Sequence, residues 1–535
     1  MKLTKATPMF VETTARLGDE LFVRSAADLE ADAKHNRLLL AVIAVIGVFY
    51  LLTIRQGHYW GDDFSMYIQH AKNIVAGVSY NATSYIYCPP YIGPDSYPPI
   101  YPLFLVPVVW LFGVSLTAMK VELILAFLLA LFLLAKTVRD FLPANWQLAL
   151  IALVGLNPYF WEYKDHIKSE IPFFVAAYLS VYLVHRSYEV FESRASAMVK
   201  LGYVLATGVS FYLAYGTRSV GLVLLPSLVL YDLIRHRKLF VPSWYVVGVT
   251  TVMMALIVAQ YFLLRSDRTY VEMVQADSRS FLVDWMRFIL MNVPKYTASI
   301  TQIWDNGYSA LPRLGLTVVM SLLALIGFLA QVFKKISFIE LFVALYTVCV
   351  VIVPMDGGVR YLLPVVPFYI YYSLQGLRWL PEQMNIKRLA TVGVAIAVSA
   401  SYALGYTASN FKEIRIGVTK PESVEFFEYI KQQTTDDDVI IFTKPRALAL
   451  YTERKSSFYP MLLNDKGIWD YFGRIKATHI ALGPKGVEPQ DQEFLSKFLN
   501  RYSSFVRQEY ANADFTVYRI TGKPDTESLG KPENN

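Results

Sequence analysis

The sequence is poor in most of what a soluble enzyme carries. Two of its 535 residues are cysteine, Cys88 and Cys349. Two thiols exclude a disulfide framework and a thiolate-rich zinc site. Charged residues make up 17% of the chain, against about 25% in an ordinary soluble domain. No glycine-rich phosphate loop, nucleophile elbow or dinucleotide fingerprint occurs, so nothing points to a bound nucleotide. The net charge of +7 comes without a basic stripe suited to a nucleic-acid backbone. A cleavable leader is not apparent either. A mixed-charge head of about 35 residues precedes the first apolar run, which is therefore expected to be a retained span.

Apolar residues are abundant, at 55% of the chain with a mean hydropathy of +0.36. They cluster in runs near 38–54, 117–135, 146–160, 171–184, 201–217, 219–231, 243–264, 314–333, 337–355, 361–377 and 389–408. The expected fold class is an α-helical polytopic membrane protein of about eleven spans. A twelfth run, 97–113 ("YPPIYPLFLVPVVWLFG"), holds prolines at 98, 99, 102 and 107, which interrupt helix hydrogen bonding.

Charge parity decides how that run is placed. With the N-terminus inside and 97–113 not crossing, the inner loops carry Lys136/Arg139, Arg186/Arg194/Lys200, Arg235/Arg237/Lys238, Lys334/Lys335 and Arg378/Lys387/Arg388. Each is basic, as the positive-inside rule expects. If the run crosses, every cluster falls on the wrong side. The run is thus expected to lie at the outer interface. The outer segments 55–116, 161–170, 265–313 and 356–360 then share one face, with Asp62, Asp63, Asp95, Glu162, Lys164, Asp165, Lys168, Glu170, Arg218, Asp356 and Arg360.

The expected domains are a cytoplasmic segment 1–37, a membrane domain 38–408 whose first outer loop spans 55–116, an outer domain 409–522 and a disordered tail 523–535. In the outer domain, 421–433 and 491–500 read as amphipathic helices. Residues 438–443, 477–483 and 514–520 read as strands. The composition is that of a small α/β domain.

Asp62 and Asp63 stand a few residues after the first span, inside "YWGDDFSMY". Asp is a good N-cap for a helix starting near Phe64. The other role is a general base: a carboxylate beside Tyr59, Trp60, Phe64 and Tyr67 is partly desolvated, which raises its pKa. The tyrosines that follow (80, 85, 87, 91, 97 and 101) suit either a carbohydrate site or an interfacial aromatic belt. Lys120 and Glu122, at the outer start of the second span, either line a site or mark the membrane boundary. "WEYKDHIKSE" (161–170) offers Asp165, His166, Lys168 and Glu170; a divalent metal is possible there, though the spacing has no ligand signature. No cofactor is expected. Arg218 and Arg360 stand at the outer mouths of spans, where Arg holds phosphate bidentately or snorkels to headgroups. Asn81-Ala82-Thr83 matches the glycosylation sequon.

These features, in this order, resemble the GT-C class of integral-membrane glycosyltransferases, nearest to the protein O-mannosyltransferase and lipid A aminoarabinose-transferase superfamily. The resemblance rests on the acidic pair Asp62-Asp63 after the first span, "YPPIYPLFLVPVVWLFG", "KSEIPFF", and Arg360-Tyr361-x-x-Pro364-x-x-Pro367. It implies inverting transfer of a sugar from a polyprenyl-phosphate carrier to an acceptor hydroxyl of a lipid, glycan or protein. The site would face the periplasm of an inner-membrane protein. It implies Asp62 as base, Asp63 as its supporting acid, Glu170 as a second acidic position of the site, and Arg218 and Arg360 as holders of the donor phosphate; Tyr361, Lys120, Asp165 and Tyr97 are further substrate-binding candidates. The chain departs from the pattern at Asp63, where Glu is typical, and at Tyr97, where aminoarabinose transferases carry lysine. A transporter or lipid flippase is the competing reading, and it calls for ionisable groups near the middle of spans.

Overall fold

The computed structural model describes residues 26–88, 96–237, 241–264, 281–305, 307–308, 310–352, 357–381 and 386–524. Tyr91, Asp95, Lys238, Asp356 and most of the tail lie outside these residues.

A helix or a pair of helices stands at each of the eleven apolar runs. The path begins with α1 (Ala26–Leu52), α2 (Asp63–Ala76), α3 (Ile100–Phe112), α4 (Leu116–Thr137), α5 (Ala144–Gly155), α6 (Pro158–Tyr163), α7 (Glu170–Glu192) and α8 (Ala197–Thr217). It continues with α9 (Leu224–His236), α10 (Trp244–Leu264), α11 (Phe281–Ser299), α12 (Ala310–Lys334), α13 (Phe338–Ile352), α14 (Val359–Leu362), α15 (Val366–Trp379) and α16 (Ile386–Ala408). Seven stretches of the described residues are long and apolar enough to cross a bilayer, and α3, α5 and α13 are shorter apolar helices. Leu52, Trp244, Leu263 and Phe333 are more than 80% exposed, as suits helices whose solvent is lipid.

Two runs are broken where a single span was expected. Run 146–160 divides at Asn157, whose side chain accepts from the Tyr159 N–H (2.9 Å) with Pro158 at the first helical position, a strong start signal. Run 361–377 divides at Pro364, so α14 ends and α15 begins anew with Pro367 near its start. Behind this break α12 and α15 approach through Gly327 and Gly376. A Cβ on the first would strike the Tyr372 carbonyl, and one on the second the Leu323 carbonyl. Small residues of this kind let membrane helices pack backbone to backbone.

The charged loops sort to two faces. On one, Arg139 pairs with Asp32 (2.6 Å), His185 with Asp140 (2.9 Å) and Arg235 with Glu192 (2.5 Å), and Arg378 donates to the Phe141 carbonyl (3.3 Å). On the other lie 55–63, 162–170, 218 and 360. Helix α3 leaves Tyr97 beside Asp63 and ends just before α4, whose Lys120 reaches the Gly57 carbonyl. Both its ends thus sit at the same face, and Trp110, Leu111 and Phe112 are exposed along it.

The last part of the chain is an α/β domain: α17 (Pro421–Gln433), α18 (Pro445–Thr452), α19 (Asp465–Ile475) and α20 (Pro489–Arg501) on a six-stranded sheet. Its strands are β2 (Val439–Ile441), β3 (Lys455–Ser457), β4 (Ala477–Leu482), β5 (Val506–Ala511) and β6 (Thr516–Ile520). The sixth strand, β1 (Tyr85–Ile86), comes from the segment between α2 and α3 and pairs parallel with β3 at one edge. The order is β1-β3-β2-β4-β6-β5, parallel as far as β4 and antiparallel beyond. The expected helix 421–433 and the three expected strands are present; α18, α19, β1, β3 and β5 were not foreseen.

Candidate active site

Asp62 precedes the first turn of α2 but does not cap it, for its side chain makes no capping hydrogen bond. It turns to the C-terminal domain instead. There its Oδ1 accepts from the backbone N–H groups of Arg446 (3.1 Å) and Ala447 (3.2 Å), at the start of α18. Its Oδ2 is buried with no hydrogen-bond partner. Burial pushes the Asp62 carboxyl up to about 6, against the opposing pull of Arg446 and Lys444. A carboxylate held by one oxygen, with the other free of hydrogen bonds 3.7 Å from Arg446 Nε and a pKa near neutral, has what a general base needs.

Asp63 is the opposite case. Its Oδ1 accepts from the Tyr97 hydroxyl (2.7 Å) and its Oδ2 pairs with Arg360 Nη1 (2.8 Å). Burial works against its ionisation, but Arg360, Arg446 and Lys168 outweigh it and hold the carboxyl well below the usual range. Two neighbouring acids are thus driven apart in pKa by their surroundings, a pattern that marks acid–base sites.

Arg360 links this pair to Glu170. Its Nε pairs with Glu170 Oε1, and the same oxygen takes Arg218 Nη1 at 2.7 Å. Glu170 is the first residue of α7 and is fully buried; its Oε2 has no hydrogen-bond partner. Arg218 also donates to Ser169 Oγ (3.2 Å), which meets the Tyr67 hydroxyl (3.0 Å), and lies 5.5 Å over the Tyr361 ring. Arg360 is reached by way of Gly358, at φ 54°, a left-handed conformation that glycine adopts without strain. The side chains of Asp63 and Arg360 are about a quarter exposed, so a ligand can reach them.

Asp62, Asp63, Tyr97, Glu170, Arg218, Arg360 and Tyr361 therefore converge on one face. Lys120 and Asp165 are brought elsewhere. Asp165 Oδ2 takes Arg55 Nε (2.7 Å) and Lys164 Nζ (2.7 Å), while Lys120 binds the carbonyls of Arg55 (2.7 Å) and Gly57 (2.5 Å). Both are buried within that knot. His166 stacks between the rings of Tyr59 (4.4 Å) and Tyr163 (4.9 Å). Among the described residues the group spaced to hold a metal is Asp140, His185 and Glu189, on the opposite face.

Sequence reasoning missed Arg446. It is 3% exposed, donates from Nη1 to the Tyr97 hydroxyl (2.6 Å), stands 3.6 Å from Asp63 Oδ1, and lies over the rings of Tyr85 (5.0 Å) and Tyr97 (5.2 Å). Pro445 at the first helical position was the available signal for α18.

The whole arrangement has the fold of the GT-C membrane glycosyltransferases. Three solved structures are similar. The chain matches ArnT from Cupriavidus metallidurans bound to undecaprenyl phosphate at a TM-score of 0.52 and 14% identity, over 93% of this chain and 99% of that one. It matches the Archaeoglobus fulgidus oligosaccharyltransferase in complex with Zn and sulfate at 0.58 and 12%, over 89% and 72%. It matches the mycobacterial arabinofuranosyltransferase AftD at 0.51 and 11%, over 92% and 42%. No protein-family profile matches the sequence, and no curated protein matches it significantly. The chain is a multi-pass membrane protein of this fold.

Proposed function

We propose that the protein is a glycosyltransferase that moves a sugar from a polyprenyl-phosphate carrier to an acceptor hydroxyl, with inversion, at the periplasmic face of an inner membrane. The observation that carries this reading is the buried Oδ2 of Asp62, which has no hydrogen-bond partner and stands 3.7 Å from Arg446 Nε, beside the Asp63–Arg360–Glu170–Arg218 chain of ion pairs. The acceptor hydroxyl attacks the anomeric carbon and gives its proton to Asp62 Oδ2. The bond from that carbon to the phosphate oxygen breaks, and its electron pair leaves with the polyprenyl phosphate. Such a leaving group is already acidic and needs no general acid. Arg360 and Arg218 are placed to take up the charge that develops on it. Asp63, kept ionised by Arg360, orients that arginine. A single carboxylate base on the face opposite the leaving group is the logic of inversion.

The structural neighbours support the donor class: ArnT was solved with undecaprenyl phosphate, and the archaeal oligosaccharyltransferase AglB, at 11% identity and a TM-score of 0.56, with a dolichol-phosphate. The basic loops support the orientation, since the acidic pair lies on the face away from them. A flippase calls for ionisable groups at mid-depth, whereas the ion pairs named above cluster at the two faces.

The test is Asp62→Asn, assayed for sugar transfer from a prenyl-linked donor. Turnover should fall by about 10²–10⁴ while thermal stability stays close to that of the wild type. Full turnover in the folded variant would remove Asp62 from the chemistry.

A further inference from the structure

The C-terminal domain is fastened to the segment that carries the acidic pair at several independent points. The Trp60 ring is 5% exposed and packs among Phe427 (5.6 Å), Phe515 (5.8 Å) and Phe442 (5.9 Å) of that domain. The backbone of 56–58 bonds to it through Gln56 N–H to the Lys412 carbonyl (3.2 Å), Ile414 N–H to the Gln56 carbonyl (3.0 Å) and Val418 N–H to the His58 carbonyl (2.9 Å). Strand β1 joins its sheet, and Ser457 Oγ donates to the Ile86 carbonyl (3.0 Å). All of these attachments surround Asp62. The C-terminal domain therefore holds both the segment before Asp62 and the Asp62 side chain itself.

We infer that Arg446 is a positioning residue for Asp62 and Asp63, so that the C-terminal domain is a constituent of the active site. This deepens the proposed function and rests on it for the role of Asp62. Three features of the geometry support it. The first is the pair of backbone N–H groups at the start of α18, which fix one Asp62 oxygen and leave the other beside the Arg446 guanidinium. The second is the guanidinium, whose Nε stands 3.7 Å from Asp62 Oδ2. It bridges to Asp63 through the Tyr97 hydroxyl, which donates to one group and accepts from the other. The third is the pair of aromatic faces, Tyr85 and Tyr97, that fix the plane of the guanidinium.

The placement sets how readily the base takes a proton. The charged and titratable groups that face Asp62 are Arg446 and Lys444 from the outer domain, Asp63 from α2 and Tyr85 from the first loop. Lys444 is itself paired with Glu488 (2.5 Å), which leaves Arg446 as the nearer counter-charge. Removing its guanidinium while keeping the backbone amides withdraws that counter-charge, together with the contacts to the Tyr97 hydroxyl and Asp63, and Asp62 then holds its proton to higher pH.

The experiment uses the full-length protein in detergent or nanodiscs, as wild type, Arg446→Ala and Arg446→Lys. One arm needs no substrate. The carboxyl of Asp62 is labelled with a hydrophobic carbodiimide, which reacts with the protonated form, across pH 4 to 9, and the peptide is quantified by mass spectrometry. The labelling midpoint should rise by about 1–2 pH units in Arg446→Ala and return most of the way in Arg446→Lys. The second arm measures kcat/KM against pH with a prenyl-phosphate sugar donor. The acid limb should move upward in parallel, and kcat should fall while the donor KM stays near the wild-type value. Loss of turnover with no movement of either profile would assign Arg446 to fold alone and overturn the inference. Should Arg446→Ala not fold, Arg446→Gln keeps the aromatic contacts and faces the same two criteria. Absence of sugar transfer by the wild type would defeat the proposed function and leave the labelling arm to decide on Arg446.

Discussion

The protein has two buried charge clusters on the same face, and they are built differently. In the first, Asp165 lies under Arg55, Lys164 and Lys120, and all four side chains are at most 5% exposed. The carboxylate oxygens both have cationic partners, and Lys120 adds two backbone carbonyls. In the second, Asp62, Asp63 and Glu170 face Arg446, Arg360 and Arg218. Here one oxygen of Asp62 and one of Glu170 have no hydrogen-bond partner, and Asp63 and Arg360 are partly open. The first knot has its valences closed, and it ties the end of α1 to the segment before α7. The second retains unmet valence at a surface a ligand can reach. Burial of charge alone does not distinguish structure from function; unmet hydrogen bonding beside partial access does.

Changing each cluster by one atom tests that difference. Asp165→Asn leaves three buried cations without their carboxylate. Breaking a buried pair costs about 3–5 kcal/mol, so the variant should express poorly or unfold well below the wild type in a thermal scan. Glu170→Gln takes the carboxylate from Arg218 and one of two carboxylates from Arg360, which keeps Asp63; the two side chains are 13% and 25% exposed and can turn to water. Its stability cost should be smaller, about 1–3 kcal/mol, while turnover drops on the order of a hundredfold because both arginines lose their aim. Equal stability losses in the two variants would erase the contrast. The pH profile is a milder probe. In the proposed mechanism the base must be ionised, and Asp62 is raised to about 6. Activity should therefore hold above that pH and fall as pH drops through it. A limb near the ordinary carboxylate value of about 4 would show Asp62 to be as well solvated as a surface acid.

How much of this was legible in the sequence follows from the range of the forces involved. Apolar runs are local, so the helices of the membrane-spanning part could be read from them. The breaks at Asn157 and Pro364 were also local, but a continuous apolar stretch hid them. The residues of the site could be nominated by type, and six of those nominated meet Asp62 in one cluster. Lys120 and Asp165 carried the same signal of charge at a membrane mouth, yet they close a structural knot, because which charges pair is decided by tertiary packing. Arg446 was out of reach for the same reason. It lies 384 positions from Asp62 along the chain, and "RALALYT" is too short for periodicity to tell helix from strand.

Tyr97→Phe is the smallest perturbation and the most discriminating. The hydroxyl donates to Asp63 Oδ1 and accepts from Arg446 Nη1, so it is a joint between the membrane helices and the C-terminal α/β domain within the site. Phenylalanine keeps the ring, and with it the contact to Tyr67 (4.9 Å) and the surface under the Arg446 guanidinium. Only the joint is lost. Asp63 retains Arg360 at 2.8 Å, so its ionisation should survive and the fold should be undisturbed. A hydrogen bond to a charged group contributes about 1.5–3 kcal/mol, and part of that is recovered by the 3.6 Å Arg446–Asp63 contact. The expected result is a loss of roughly tenfold in kcat, corresponding to about 1.4 kcal/mol, with donor KM unchanged. A loss as large as that of Asp62→Asn would mean that the tyrosine itself touches the reacting atoms, and the division between a bare base and a fully engaged supporting acid would have to be redrawn around it.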